Sequence, residues 1–382
     1  MSTIPISLDV FCRGQLAALR DEGYEVIALS SPGQSLDNIY EREQVRTHAI
    51  PMKRRISPLQ DLKSLWRLYR YFRRERPDMV HSLTPKAGLL GMMAAKMAGV
   101  PLRVHTFTGL VWPARKGISR RILKATDRIL CRCATHINPE GKGVRKDLLD
   151  GAITRKPLYI LANGNVRGID GKYFDRTPQV MTDSSELMQP DTFTFIFIGR
   201  IASEKGIDEL VNAFSHLKEY NCRLIIIGPD ESDIDPIKQE TTQIMCNDPR
   251  IIMTGEQKDI RRWLAVADML VLPSHREGFP NVVLEAGAMG VPAIVTDING
   301  SREIIQNGYN GWVIPLGNDY PSRTQALYEA MRSILDNKEK VHKMASVSRR
   351  YILENWDRKI VLDALLQFYR NLFGGISPTA RT

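Results

Sequence analysis

Several things are missing from these 382 residues, and each absence narrows the function. No run of 18 or more apolar residues occurs, so no transmembrane helix is expected. The opening MSTIPISLDVFCRG has no basic segment leading into an apolar one, so no secretory signal is expected either. The cysteines Cys12, Cys131, Cys133, Cys222 and Cys246 are odd in number and contain no CxxC pair. That pattern argues against a disulfide framework or a zinc site and for a reducing, cytoplasmic setting. GxGxxG, a Walker loop, a Ser–His–Asp arrangement, short internal repeats and low-complexity tracts are also lacking. What is present is long: too long for one core, and suited to two domains of roughly 150 to 200 residues each.

The net charge of +10 is unevenly spread. Residues 1–170 carry 29 Lys and Arg against 15 Asp and Glu, whereas residues 171–382 carry 24 against 28. A basic half suggests nucleic acid at first sight. Neither aromatic–basic interleaving nor a helix-turn-helix signal supports it, so no nucleic-acid partner is expected. The asymmetry instead points to two domains with different tasks.

Short apolar runs alternate with helix-length segments. In the second half the runs are 193–198, 224–227, 251–253, 269–272, 293–295 and 312–314, without polar alternation, as in strands buried on both faces. Helical segments at 207–219, 234–246, 257–267 and 280–289 separate them, and helical pattern continues from 320 to about 373. The first half offers strands at 24–30, 78–83, 102–106, 135–138 and 157–161, with helices at 14–22, 57–76, 85–98, 118–133 and 140–150. The fold class is therefore α/β, with two Rossmann-like, doubly wound parallel-sheet domains facing a cleft and helices at the C-terminus. The expected divisions are a domain at 1–165, a linker at 166–190 with little to bury, a domain at 191–355, and a final helix and tail at 356–382 returning to the first domain. STIPISLDVF starts at the very end of what should be the first central strand, so that strand is expected to be truncated or absent.

The stretch SHREGFPNVVLEAGAMGVPAIVTDINGSRE, 274–303, is the richest in chemistry. Pro280 stands where a helix should begin, which is a favoured place for proline. The amides of Asn281, Val282 and Val283 would then face out of the helix as an anion site. Glu285 shares a helix face with Asn281 and is an acceptor for vicinal hydroxyls of a ribose. Glu277, before the helix, can reach a second polyol across the same anion, so the set fits a nucleotide-sugar. The plainer reading makes both glutamates solvated surface charges. A second segment, GRIASEKG at 199–206, follows a strand and brings Arg200 and Lys205 to the loop before a helix, where two cations can neutralise a diphosphate.

These segments carry a resemblance. GRIASEKGIDELVNAF, PSHREGFPNVVLEAGAMGVPAIVTDINGSREII and NGYNGWVIP resemble the donor-binding domain of family 4 retaining glycosyltransferases of the GT-B fold. HSLTPKAGLLGMMAAKMAGVPLRVHTFTGL and INPEGKGVRKDLLDGAI resemble its acceptor-side domain, in the branch that builds bacterial surface polysaccharides such as capsule, O-antigen and exopolysaccharide. The resemblance implies that Arg200 and Lys205 hold the donor diphosphate and that Glu285 binds the ribose. It implies that Glu277, Gly278 and Phe279 contact the transferred sugar, and that the backbone from Pro280 through Asn281 and Val282 meets the phosphates. It also implies His105, at a strand end, as a catalytic-site residue with Glu277. The donor would be a nucleoside-diphosphate sugar, UDP in first place, and the chemistry metal-independent, with no cofactor. The acceptor would be a growing glycan on a polyprenyl diphosphate. A nucleotide-sugar epimerase on the same fold is the alternative, and a nucleic-acid binder a distant one.

The basic half is read toward that acceptor. Residues 53–76, KRRISPLQDLKSLWRLYRYFRRER, hold nine basic residues, with Leu59, Leu62, Leu65 (or Trp66), Tyr69 and Phe72 at helical spacing. Such a helix either lies on an anionic membrane surface or packs its stripe on the sheet. A second cluster at 115–124 includes Arg115, Lys116 and Arg120. With His81 and Lys86 these form the expected acceptor and membrane set, and the protein is expected on the cytoplasmic face of the membrane. His275 is read as supporting Glu277. Asp233 and Asp235 form a DxD in GPDESDIDP, which is set aside as a solvated loop rather than a metal site.

Overall fold

The computed structural model describes residues 1–54 and 57–374, which form two compact units. The N-terminal unit contains residues 1–168 together with the C-terminal segment from Arg358; the C-terminal unit is Ile169–Asp357. The Arg55 of the basic cluster and the tail from residue 375 lie outside the described residues.

The N-terminal unit runs α1 (Pro5–Phe11), α2 (Gln15–Asp21), β1 (Ile27–Ser30), α3 (Gln34–Glu43), β2 (Arg46–Ala49), α4 (Pro58–Glu75), β3 (Met79–Ser82), α5 (Pro85–Met97), β4 (Leu102–Phe107), α6 (Gly117–Cys133), β5 (His136–Pro139) and α7 (Lys142–Asp150). Proline opens α1, α4 and α5, where its missing N–H costs no helical hydrogen bond. Parallel pairs β1–β2 and β3–β4–β5 form separate sheets. Residues 1–3 lie between them: the Ser2 amide donates to Leu29 O at 3.1 Å and the Leu83 amide to Met1 O at 3.1 Å. The expected strand at 157–161 is reduced to one bridge, Leu158 beside Ile137.

The C-terminal unit follows with α8 (Pro178–Ser184), β6 (Phe193–Ile198), α9 (Ile207–Ser215), β7 (Cys222–Ile227), α10 (Gln239–Asn247), β8 (Ile251–Gly255), α11 (Arg261–Ala265), β9 (Met269–Leu272), α12 (Asn281–Ala288), β10 (Ala293–Thr296), α13 (Ser301–Ile304), β11 (Gly311–Ile314), α14 (Tyr320–Leu335) and α15 (Lys338–Trp356). Its six parallel strands are ordered β11-β10-β9-β6-β7-β8. The chain lays β7 and β8 on one side of β6, then returns to place β9 on the other. That reversal makes a switch point between β6 and β9, and doubly wound sheets bind ligands at the carboxyl ends of such strands. All residues of β7 and β9 are buried, as their unbroken apolar runs required.

The segment expected to be a linker is not one. Ile169, Phe174 and Val180 enter the core of the C-terminal unit, and Arg176 donates to Met289 O and Ala265 O, both at 2.9 Å. Of these anchors only Val180 lies within the polar run 177–190. The last helix, α16 (Arg358–Leu372), belongs to the N-terminal unit, where Leu365, Leu366 and Tyr369 pack on Leu19.

Candidate donor site

The site lies wholly in the C-terminal unit, at the carboxyl ends of β6 and β9. The loop after β6 carries Arg200 and Lys205, and the loop after β9 carries His275 to Pro280. Two glycines let these loops approach neighbouring backbone. Gly206 has φ +73°, and a Cβ there would lie 2.2 Å from Pro273 O, the end of β9. Gly300, beyond β10, has φ +72°, and a Cβ would lie 2.4 Å from Gly278 O and 2.7 Å from Phe279 Cα. Phe279 is buried against Trp356, ring centroids 6.0 Å apart, so the loop has an apolar anchor as well.

Lys205 Nζ is 2.6 Å from Glu277 Oε1, both side chains being mostly buried. This contact joins two residues that lie 72 positions apart. Arg200 pairs with Glu204 at 2.6 Å and with Glu231. Burial works against the Arg200 charge, but these carboxylates outweigh it and raise its pKa above the usual arginine range. Glu204 is opposed by burial too, yet Arg276, 2.7 Å away, and Arg200 hold its carboxyl below the ordinary value. The result is a dense cluster of paired side chains at the carboxyl ends of the central strands β6 and β9. Asp235 supports it, its Oδ2 accepting from the Glu204 amide at 2.6 Å. The DxD stretch is thus partly a loop brace. Among the described residues no group of three or more His, Cys, Asp or Glu is arranged to hold a metal.

Helix α12 begins at Asn281, with Pro280 as the extended residue before it rather than the first helical one. The Val283 amide donates to Pro280 O at 3.1 Å, so it is not one of the amides offered to an anion. By helical geometry those of Asn281 and Val282 point out of the N-terminal end. Glu285 sits one turn on and half-buried. His275 does not support Glu277 directly; its Nε2 is 3.0 Å from Glu209 Oε1. Glu209 and Arg323, which meet at 2.8 Å, were not legible as site residues because one is a buried helix acid and the other lies 114 positions away on α14.

In the N-terminal unit His105, His81 and Lys86 are held by neighbours within that unit. His105 is 1% exposed and faces α5, where its ring contacts Phe107 edge-on at 4.5 Å and Ser82 Oγ lies 2.8 Å from Nδ1. A Cβ on Gly88 of α5 would fall 2.4 Å from this ring, so the imidazole packs directly on that helix. Strand alternation decides this: β4 runs to Phe107, and His105 shares its face rather than that of Thr106. His81 faces the other way, between Tyr369 OH at 2.5 Å and Thr106 Oγ1 at 2.7 Å, so both ring nitrogens are taken. It lines an 80 Å³ cavity with Asn138, Glu140 and Tyr369. Lys86 is bonded to Asp61 at 2.8 Å, tying α5 to α4 with little surface exposed. Arg115, Lys116 and Arg120 are exposed, and Arg120 lies over the Trp112 ring at 5.6 Å.

The basic helix α4 has two apolar stripes, not one. Leu68, Tyr71 and Phe72 are buried in the core. Leu59, Leu62 and Trp66 face outward, 82%, 64% and 56% exposed, among Lys63, Arg67 and Arg70. Tyr69 and Leu65 pack at the border. On α6, Ile118 and Ile122 are likewise exposed beside Arg120 and Arg121. Among the described residues no helix is long and apolar enough to cross a membrane.

Known proteins match both units. The description "glycosyl transferase 4-like domain" fits residues 8–164, and "glycosyl transferases group 1" fits residues 182–351. The chain is 29% identical over 360 residues to the capsular polysaccharide biosynthesis glycosyltransferase CapM of Staphylococcus aureus, covering 94% of this chain and 92% of that protein. It is 29% identical over 301 residues, 75% of each protein, to the UDP-Gal:alpha-D-GlcNAc-diphosphoundecaprenol alpha-1,3-galactosyltransferase of Escherichia coli. The crystal structure of Anabaena Alr3699/HepE in complex with UDP and glucose shares the fold, with a TM-score of 0.79 at 16% identity over 97% of this chain and 100% of that one. With its 4-like and group 1 domains on two Rossmann-like units, the chain belongs to the family 4 glycosyltransferases and has their GT-B fold.

Proposed function

We propose that this glycosyltransferase moves a sugar from UDP to a growing bacterial surface glycan carried on a polyprenyl diphosphate, with retention at the anomeric carbon. The observation that carries the donor half is the joining of Lys205 to Glu277, beside Arg200 and the start of α12, at the β6/β9 switch point. Arg200 and Lys205 face the diphosphate, the first-turn amides of α12 complete its cradle, and Glu285 takes the ribose hydroxyls. Glu277 receives hydroxyls of the transferred sugar. The activities named for the two relatives support a capsule-type or undecaprenyl-linked acceptor.

In this reading the acceptor oxygen bonds to the anomeric carbon as the bond from that carbon to the diphosphate oxygen breaks. Attack comes from the leaving-group side, and the acceptor proton passes to the departing diphosphate. The cations and amides stabilise the charge that develops there, so neither an enzyme nucleophile nor a metal is called for. The exposed apolar and basic faces of α4 and α6 fit peripheral attachment to an anionic membrane, where a lipid-linked acceptor resides.

A panel of UDP- and GDP-sugars, read by thermal shift and by transfer or hydrolysis, tests this. UDP compounds should raise the melting temperature; Lys205→Ala should cut turnover by about 100-fold, the order expected from losing a charged transition-state contact, and Glu285→Ala should weaken donor binding and so lower turnover at sub-saturating UDP-sugar. Undiminished turnover in both variants sinks the donor assignment. Interconversion of nucleotide-sugars without any acceptor would favour the epimerase instead.

A further inference from the structure

Three consecutive residues of the loop after β9 each grip a different residue on the β6 side. His275 Nε2 meets Glu209 Oε1 at 3.0 Å, Arg276 meets Glu204 at 2.7 Å, and Glu277 meets Lys205 at 2.6 Å. The His275 amide adds a bond of 2.9 Å to Glu204 O. The first contact differs from the other two. Glu204 and Lys205 lie on the short loop after β6, and both belong to the ion cluster that a diphosphate must enter. An arriving anion draws on Lys205 directly, and on Arg200, which shares Glu204 with Arg276. On the donor-site reading, the anion competes with Glu277 for Lys205 and loosens that contact, while a Glu204 that gives up Arg200 still keeps Arg276.

The Glu209–His275 contact stays outside that exchange. Glu209 is fixed in the helix α9 and is 2% exposed. Arg323 of α14 holds the same oxygen, Oε1, at 2.8 Å. Its other oxygen, Oε2, is buried with no hydrogen-bond partner among the described residues. Burial opposes its charge, but His275 and Arg323 keep the carboxyl below the ordinary range, so it is ionised at neutral pH. A buried carboxylate with one oxygen unused is a costly way to fill space, and an apolar side chain would fill it without that cost.

Resting on the donor-site reading above, we propose that Glu209 is a positioning residue. Its carboxylate pins His275 so that Glu277, two residues on, keeps its place when Lys205 turns to the diphosphate. Glu209 itself touches no substrate. The loss should appear where the sugar is held, not where UDP is held.

The test compares binding of UDP with binding of UDP-glucose, UDP-galactose and UDP-N-acetylglucosamine, and measures hydrolysis of each. His275→Ala removes the contact from the loop side without leaving a charge change inside α9. Glu209→Leu combined with Arg323→Leu removes the buried carboxylate together with its half-buried partner, which keeps the fold testable. Both should hold UDP affinity within about 2-fold while turnover of the preferred UDP-sugar falls at least about 10-fold, as a displaced reacting geometry predicts. The extra affinity for the sugar-bearing donor over UDP should shrink with it. His275→Gln, which can still donate to Glu209, should restore most of the loss. Unchanged turnover and discrimination in a wild-type background that binds UDP would overturn the proposal alone. Equal loss of UDP and UDP-sugar affinity with a lowered melting temperature would also overturn it, as a purely structural role. A wild-type protein that binds no UDP would overturn the donor-site reading, and this proposal with it.

Discussion

Burial holds the imidazoles of His81 and His105 down to a pKa of about 3, with the nearby amino group of Met1 acting in the same direction. Both rings are neutral in the folded protein, although an unfolded histidine protonates near 6.5. Their contribution to stability is therefore full above about pH 6.5 and is lost as pH falls toward 3. Asp127 on α6 works the other way. Burial lifts its carboxyl to about 7, with Trp112 opposing, so the folded chain keeps a proton that the unfolded chain releases near 3.8. Its contribution falls as pH rises from about 4 to 7. Between pH 4.5 and 6 the three groups leave a net uptake of about one proton on unfolding, a slope of roughly 1.4 kcal/mol per pH unit. Asp127→Asn should bring that slope to roughly twice as much and raise stability at pH 7.5 by up to about 4 kcal/mol. Denaturant unfolding of the two proteins across pH measures both, and an unchanged slope would show that these side chains do not titrate as their burial requires.

At the scale of elements, the candidate donor site depends on loops brought close by backbone without side chains. Gly300→Ala places a Cβ against Gly278 O and Phe279 Cα in a left-handed conformation. Gly308 has φ +83° but nothing within 4 Å of its would-be Cβ, so Gly308→Ala carries only the conformational cost of about 1 kcal/mol. Gly300→Ala should cost about 2 kcal/mol more than that, because the Glu277 loop must move, and should lose UDP-sugar turnover while Gly308→Ala keeps it. Melting curves and hydrolysis rates on the pair separate collision from strain. The same loops explain why the donor half was legible in the sequence. GRIASEKG and the SHREGFPN segment each put charged residues directly after an apolar strand, and the adjacency of β6 and β9 brings Lys205 and Glu277 together. In the N-terminal unit the deciding facts are not local. Whether His105 or Thr106 faces α5 depends on where β4 sits in its sheet. Which stripe of α4 is buried depends on what lies beneath it, and α4 has apolar residues on both sides. The strand β2 escaped because the four residues RTHA contain no apolar run and no alternation long enough to read as a strand.

For the molecule as a whole, the division into units sharpens the charge asymmetry. Residues 1–168 with 358–382 hold 33 Lys and Arg against 15 Asp and Glu, or +18, while 169–357 hold 20 against 28, or −8. An anionic bilayer therefore attracts one unit and repels the other. The attracted unit also carries the exposed Leu59, Leu62 and Trp66, with Arg70 stacked over Trp66 at 4.6 Å. Attachment should then have two components with different salt dependence. Each basic residue near the surface contributes about 1 kcal/mol, a contribution that fades as the screening length drops from about 10 Å at 0.1 M salt to 3 Å at 1 M. The apolar contribution of the three side chains does not fade with salt. Vesicles of phosphatidylcholine with 30 mol% phosphatidylglycerol, a composition chosen as about that of an anionic bacterial surface, should therefore bind the protein strongly at low salt and partly at high salt. Pure phosphatidylcholine should bind it weakly at either. Leu59→Gln, Leu62→Gln and Trp66→Ala together should abolish the salt-resistant fraction and leave the low-salt attraction largely in place. Equal binding to both vesicle types, or a triple variant indistinguishable from wild type at high salt, would remove α4 as the attachment face. Salt-sensitive binding to duplex DNA as strong as that to the anionic vesicles would mean that the +18 acts as general polyanion affinity, with no bias toward lipid.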